Sequence, residues 1–313
     1  MKKILPFSDK PFLNSYSFLS YFLGIFEGKG YNVRPFCYNN FISLIYARTF
    51  NERFIMFIKA FPEGGKLRKL FDLQPLKREQ MTIDNLCQFI SEDKYVIVTL
   101  NFRAIIKEEG CWYHDWLVYG FDDEQKLFKI IGFAPNEKNG VLKYEKHELP
   151  FEQFIKALPS TKVKTKAKYL KNCTISIKND YEIENVNFKI IKRKLRMYLR
   201  TFSPFFLNIK IYEHYSKVLL RIKNKADYID LRPLAVMRDH KYILLRLIQE
   251  FGDEGLVKDY EYVVNCAQDL LLLALKHNCS SIKDNRYKEL MCEKLNLITK
   301  HERATLTCLS KIL

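Results

Sequence analysis

The chain has 313 residues, 48% of them hydrophobic and 14% aromatic, and a formal net charge of +16. This composition supplies packed cores rather than a disordered coil, and the length suits two domains. With only 11 glycines, a loop-rich all-β chain is not expected.

Lys2 and Lys3 precede an apolar stretch, but Asp9, Lys10 and Pro11 interrupt it before it reaches the length of a signal h-region. The segment from Phe12 to Phe26 carries Asn14 and three serines, with no small-residue cleavage site after it. A signal peptide is therefore rejected. No uncharged apolar run of about 20 residues occurs, so no membrane span is expected. From Asn14 to Phe26, Tyr16, Leu19, Phe22 and Phe26 recur at helical spacing. A second helix is expected over Thr82–Ser91, with Asp84 in its first turn and Leu86, Phe89 and Ile90 facing inward.

Strands follow. Tyr95–Leu100 is β-branched and almost wholly apolar, the pattern of a central strand buried on both faces. Trp116–Phe121 is a second strand, Asp122–Gln125 a polar turn, and Leu127–Ile131 its hairpin partner. Asn139-Gly140 marks another turn, and Pro150 starts a short helix through Phe154 and Leu158.

Residues 1–160 thus read as one mixed domain with a mainly antiparallel sheet. Residues 161–184 read as a basic linker or edge strand, containing Lys162, Lys164, Lys166 and Lys168. From 185 to 313 every long pattern is helical, with segments over 188–200, 206–225, 234–251, 258–277 and 284–313. The class is α+β: a mixed domain followed by an all-α one.

Charge concentrates in 161–230, where 17 Lys and Arg face 6 Asp and Glu. On 188–200, Lys189, Arg193, Arg196 and Arg200 form a stripe opposite Phe188, Ile191, Leu195 and Tyr198. Such a face suits an anionic partner, either an acidic protein or nucleic acid. A simply solvated basic surface is the plainer alternative.

Eight cysteines lie at 37, 87, 111, 173, 266, 279, 292 and 308, with no CxxC pair. They read as reduced thiols in a cytoplasmic protein. Cys111 and His114 form a close Cys/His pair, but two ligands do not make a site, so no metal site is expected.

His114 enters a central strand, a position from which a rigid sheet can hold a general base or a structural imidazole. The string His114-Asp115-Trp116-Leu117-Val118-Tyr119-Gly120-Phe121-Asp122-Asp123, its hairpin, and Leu149-Pro150-Phe151-Glu152-Gln153-Phe154 resemble the butirosin biosynthesis protein H family. Asp230-Leu231-Arg232-Pro233-Leu234 with Asp239-His240-Lys241 resembles the helical half of small relatives from antibiotic gene clusters. The resemblance implies a papain-like fold, similar to bacteriocin-processing cysteine peptidases, and acyl transfer from a carrier-protein thioester to an amine.

That chemistry needs a cysteine, a histidine and an orienting Asp or Asn. His114 matches the histidine. The resemblance places Phe12 at the nucleophile position, ahead of Asn14-Ser15, and Gly132 at the orienter, followed by Phe133. Ser15, Ser17, Cys111 and Cys37 are the substitute nucleophiles. Asn14, Ser15 and Asp115 are the substrate-contacting candidates.

Three readings stay open. One is an acyltransferase relative with an eroded catalytic set, which binds an acidic carrier protein and needs no cofactor beyond the carrier's phosphopantetheine arm. The others are an active transferase or peptidase with a displaced nucleophile, and a nucleic-acid-binding basic protein. Arg232, Asp239 and His240 form a second cluster, read as a domain-interface feature.

Overall fold

The computed structural model of the chain describes residues 1–49, 52–57, 69–106, 108–135, 142–159, 172–178, 184–200, 207–221, 228–280 and 285–313. In chain order the elements are β1 (Lys2–Ile4), α1 (Ser17–Gly28), α2 (Arg34–Asn40), β2 (Leu44–Thr49), β3 (Glu52–Phe57), β4 (Phe71–Pro75) and α3 (Ile83–Ser91). Next come β5 (Tyr95–Asn101), α4 (Phe102–Ile105), β6 (Tyr113–Asp122), β7 (Leu127–Pro135), β8 (Leu142–Pro150), α5 (Phe151–Ala157) and β9 (Cys173–Ile177). The remainder is helical: α6 (Phe188–Tyr198), α7 (Ile211–Arg221), α8 (Arg232–Phe251), α9 (Glu254–Cys279) and α10 (Asn285–Ile312). The fold is α+β, with a mainly antiparallel sheet and a helical C-terminal region. Among the described residues, no helix is long and apolar enough to cross a membrane.

Two compact units divide the chain: Met1–Val33 with Pro62–Ile183, and Arg34–Phe61 with Glu184–Leu313. In the first, an antiparallel sheet runs β4-β9-β5-β6-β7-β8, and β1 pairs with the C-terminal end of β6. Tyr95–Leu100 of β5 is buried throughout, as its unbroken apolar run requires. The turn after β6 is fixed by Asp122, whose Oδ1 accepts from the backbone N–H groups of Glu124 (3.2 Å) and Gln125 (3.1 Å). The Asn139-Gly140 turn lies outside the described residues, but β7 and β8 on either side pair from Leu127↔Pro150 to Pro135↔Leu142.

Helix α1 is apolar on nearly every side, and all residues from Phe18 to Phe26 are buried, as befits a core helix. It begins at Ser17, three residues later than the periodicity suggests. The cause is local: Tyr16 is extended (φ −135°, ψ 143°), and the Phe12 N–H is tied to Glu27 Oε1 at 3.0 Å. The preceding segment therefore runs alongside the helix instead of prolonging it. Gly28 permits that approach, since a Cβ there would stand 2.4 Å from the Phe7 Cα. Helix α3 is capped by Thr82, whose side chain accepts from Asn85 N, and has Asp84 in its first turn.

Segment 161–184 is described only in part. The alternating lysines 162–168 lie outside the described residues. Cys173–Ile177, however, is an interior strand, paired with β4 on one side and β5 on the other, not a basic edge. Burial of Cys173, Thr174 and Ile175 explains its place.

The helical unit also claims a piece of the N-terminal third. Residues Arg34–Phe61 cluster with it, so the mixed domain is not continuous over 1–160. The rings of this segment pack inward: Phe36 meets Phe41 edge-on at 5.6 Å, Phe41 meets Phe57 at 5.1 Å, and Phe57 reaches the His240 ring of α8 at 6.2 Å. Polar ties reinforce it, including Arg34–Glu250 at 2.9 Å and Leu44 N–H to Asn208 Oδ1 at 3.2 Å. Helix α8 starts with Pro233 in its first turn and buries Leu234, Met237, Leu244 and Leu247, the face its spacing predicts.

Candidate functional site

In the sheet unit, the first residues of β6 carry the sequence-derived site. β5 fixes this end of the strand by pairing His114 with Leu100 and Asp115 with Thr99. The His114 ring lies near Trp112 (5.4 Å between centroids) and Phe133 (6.3 Å). Its Nδ1 stands 3.0 Å from the Asp115 carbonyl oxygen. A carbonyl only accepts, so that bond puts the imidazole proton on Nδ1 and leaves a lone pair on Nε2. The Asp115 carboxylate is adjacent, with Oδ1 3.4 Å from the same Nδ1.

Helix α1 reaches the same place from above. The Tyr21 hydroxyl donates to the Asp115 carbonyl at 2.7 Å, so this one oxygen accepts from both the helix and the imidazole. Burial, then the Asp115 charge, raise the Tyr21 phenol well above its ordinary range. Tyr144 of β8 joins through its ring, 5.1 Å from Phe133 and 6.2 Å from Tyr21. Burial first, then Asp9 and Asp115, raise Tyr144 as well. Asp115 Oδ2 and the Tyr144 hydroxyl are both buried without a hydrogen-bond partner among the described residues. Leaving such atoms unpaired costs about 1–3 kcal/mol each, so the site has vacant polar capacity.

The residues named by the family resemblance are distributed unevenly. Phe12 lies five residues before α1 begins, beside Glu27. Asn14 is exposed and Ser15 half-buried, both in the lead-in to α1, while Ser17 opens the helix itself. Cys111 is exposed and accepts from the Tyr113 hydroxyl at 3.7 Å. Cys37 is fully buried in α2 of the helical unit.

Gly132 pairs directly with Trp116, and a Cβ there would meet the indole Cε3 at 2.6 Å. Trp116 thus occupies the space an orienting side chain would need. Where burial shifts a thiol it moves upward, Cys87 to about 11 and Cys173 to about 12, which keeps the proton on sulfur.

Sequence reasoning missed Tyr21, Tyr144 and His147. His147 of β8 sits 5.4 Å from Trp116, and burial holds its imidazole below the ordinary value. Asp115 was legible as a contact residue, but the bond from the Tyr21 hydroxyl to its carbonyl was not.

In the helical unit, Lys189, Arg193 and Arg196 of α6 and Arg200 just after it are exposed side chains, and none of the four pairs with a carboxylate among the described residues. The opposite face buries Ile191, Leu195 and Tyr198 together with Lys194, whose ammonium donates to the Asn39 carbonyl. Phe188 departs from the expected buried stripe: it is 41% exposed and meets Phe251 edge-on.

The second sequence cluster comes apart. Arg232 pairs with Asp230 at 2.7 Å and Asp239 with Arg238 at 2.7 Å. His240 is fully buried and turns inward, donating from Nε2 to the Ile42 carbonyl at 2.7 Å. These pairings lie within the helical unit, and His240 is one of its core residues.

No family model matches the chain, and no curated protein matches it. Among the described residues, no three His, Cys, Asp or Glu side chains converge as a metal site.

Proposed function

We propose that the sheet unit is a papain-like acyltransferase relative that binds a carrier-linked acyl group at the His114 end of β6 and assists amide formation by positioning it. The observation that carries this reading is the pair of buried, unpartnered polar atoms, Asp115 Oδ2 and the Tyr144 hydroxyl, near His114. Together with the His114 Nε2 lone pair they offer two acceptors and one donor beside the rings of Phe133 and Tyr144. An acyl chain suits the rings, and the polar atoms suit a carbonyl and an incoming amine. No cysteine is assigned as nucleophile. The amine would attack the thioester directly, with no acyl-enzyme between.

Carrier proteins are acidic, and the exposed cations of α6 suit one by charge. All eight cysteines are thiols, which supports a reducing compartment such as the cytoplasm. The test uses octanoyl-pantetheine and calorimetry. His114→Ala is expected to weaken binding about tenfold, the value of one good hydrogen bond, with no acyl adduct by mass spectrometry. Binding unchanged in both His114→Ala and Asp115→Asn overturns the reading. An acyl adduct on Cys111 would instead make the protein an active transferase. Tight binding of nucleic acid that falls steeply with salt, with no response to octanoyl-pantetheine, would favour a nucleic-acid role.

A further inference from the structure

The helical unit encloses a polar network with no counterpart in the chemistry proposed above. Lys241 and Glu302 are each fully buried and form an ion pair at 2.5 Å. The Lys241 ammonium also meets the Tyr212 hydroxyl and, at 3.0 Å, His240 Nδ1. Glu302 accepts from Tyr198 at 2.9 Å and from Tyr260 at 2.6 Å.

The hydrogens can be assigned consistently. Ile42 offers a carbonyl, so His240 Nε2 carries the imidazole proton, and Nδ1 is left to accept from Lys241. Tyr198 gives its hydrogen to Glu302, so in the 2.6 Å contact with Tyr198 the Tyr212 hydroxyl is the donor. The Tyr212 oxygen then accepts from Lys241. The three ammonium hydrogens go to Glu302, Tyr212 and His240, with the Tyr198 hydroxyl a more distant neighbour at 3.3 Å. The network joins α6, α7, α8, α9 and α10 and, through Ile42, the Arg34–Phe61 insertion.

We propose that this network is an acid-sensitive latch: neutral His240 closes it over the Ile42 carbonyl, and doubly protonated His240 releases the insertion from the helices. A second imidazole proton must sit on Nδ1, pointing at an ammonium 3.0 Å away in a site without water access. The ring can then escape only by swinging off Lys241, which withdraws Nε2 from Ile42. Facing His240 are Lys241 on its own helix, the Tyr198 ring of α6 at 5.1 Å and the Phe57 ring of β3 at 6.2 Å. Glu302, Tyr212 and Tyr260 stand behind Lys241. The three tyrosines are all held above their ordinary range, mainly by burial, and stay protonated in acid.

The direction follows from linkage. Burial, then Lys241, hold folded His240 well below its ordinary value, so the released state binds the extra proton more readily. Closure begins to weaken as pH falls through about 6.5 and well below it weakens about tenfold per pH unit, until the folded imidazole itself titrates.

Hydrogen exchange of residues 36–46 in the full chain, corrected for intrinsic rates, tests the latch. The opening constant is expected to rise about fivefold from pH 6.5 to 5.5, reversibly, and to stay flat in His240→Gln. Gln can still donate to Ile42 and accept from Lys241 but does not titrate. Equal acid responses in both proteins, or none in the wild type down to pH 5, overturn the proposal. Should His240→Gln fail to fold, NMR of the wild-type ring decides. A neutral ring at pH 5.5 in closed molecules supports the latch, and a charged ring with unchanged exchange defeats it.

Discussion

A glycine and a tryptophan decide whether the strand beside His114 can take an orienting side chain. Gly132 is not a vacancy awaiting a carboxylate, because the Trp116 indole fills the volume its side chain would enter. Gly132→Ala is therefore expected to destabilise the sheet unit by about 1–3 kcal/mol through overpacking, measured as a lowered denaturation midpoint. An unchanged midpoint would mean that Trp116 gives way freely, and a larger side chain could then be accommodated at this position. His114 was legible from its place at a strand start, but Tyr21 and Tyr144 were not. Their sites depend on which oxygen of β6 lies under α1 and on the β7–β8 register, and neither is encoded in local spacing.

Elements with a strong period were readable. The unbroken apolar run of β5 and the helical stripes of α8 and α6 appear where the pattern puts them. What escaped were β9 and the β2–β3 hairpin, short strands whose places come from distant partners: β9 lies between β4 and β5. The hairpin registers Leu44↔Phe57 through Thr49↔Glu52. For α6, the two faces give opposite expectations. Charge reversal at Arg193 and Arg196 is expected to change stability by no more than about 0.5 kcal/mol, because both are exposed. Leu195→Ala on the buried face is expected to cost about 2–5 kcal/mol. Chemical denaturation measures both. A large loss from the charge reversals would show that the basic face is buried against something, and its docking role would go.

At the scale of the whole molecule, the chain alternates between two compact units, and each has its own buried centre. The sheet unit centres on Trp116, Tyr21 and the β5 run, and the helical unit on Tyr198, Tyr212, Tyr260 and the Lys241–Glu302 pair. Both tryptophans of the chain, Trp112 and Trp116, fall in the sheet unit, whereas the longest helices, α8 to α10, fall in the other. Indole emission therefore reports mainly on one unit and helical circular dichroism mainly on the other. Glu302→Gln leaves the Lys241 ammonium buried without its counter-charge, at an expected cost of about 3–5 kcal/mol. In urea, the dichroism midpoint of this variant should fall well below the wild-type value while the tryptophan midpoint holds, because each unit has a core of its own. If both probes instead shift together by the same amount, the units unfold as one cooperative body, and each depends on the other's core.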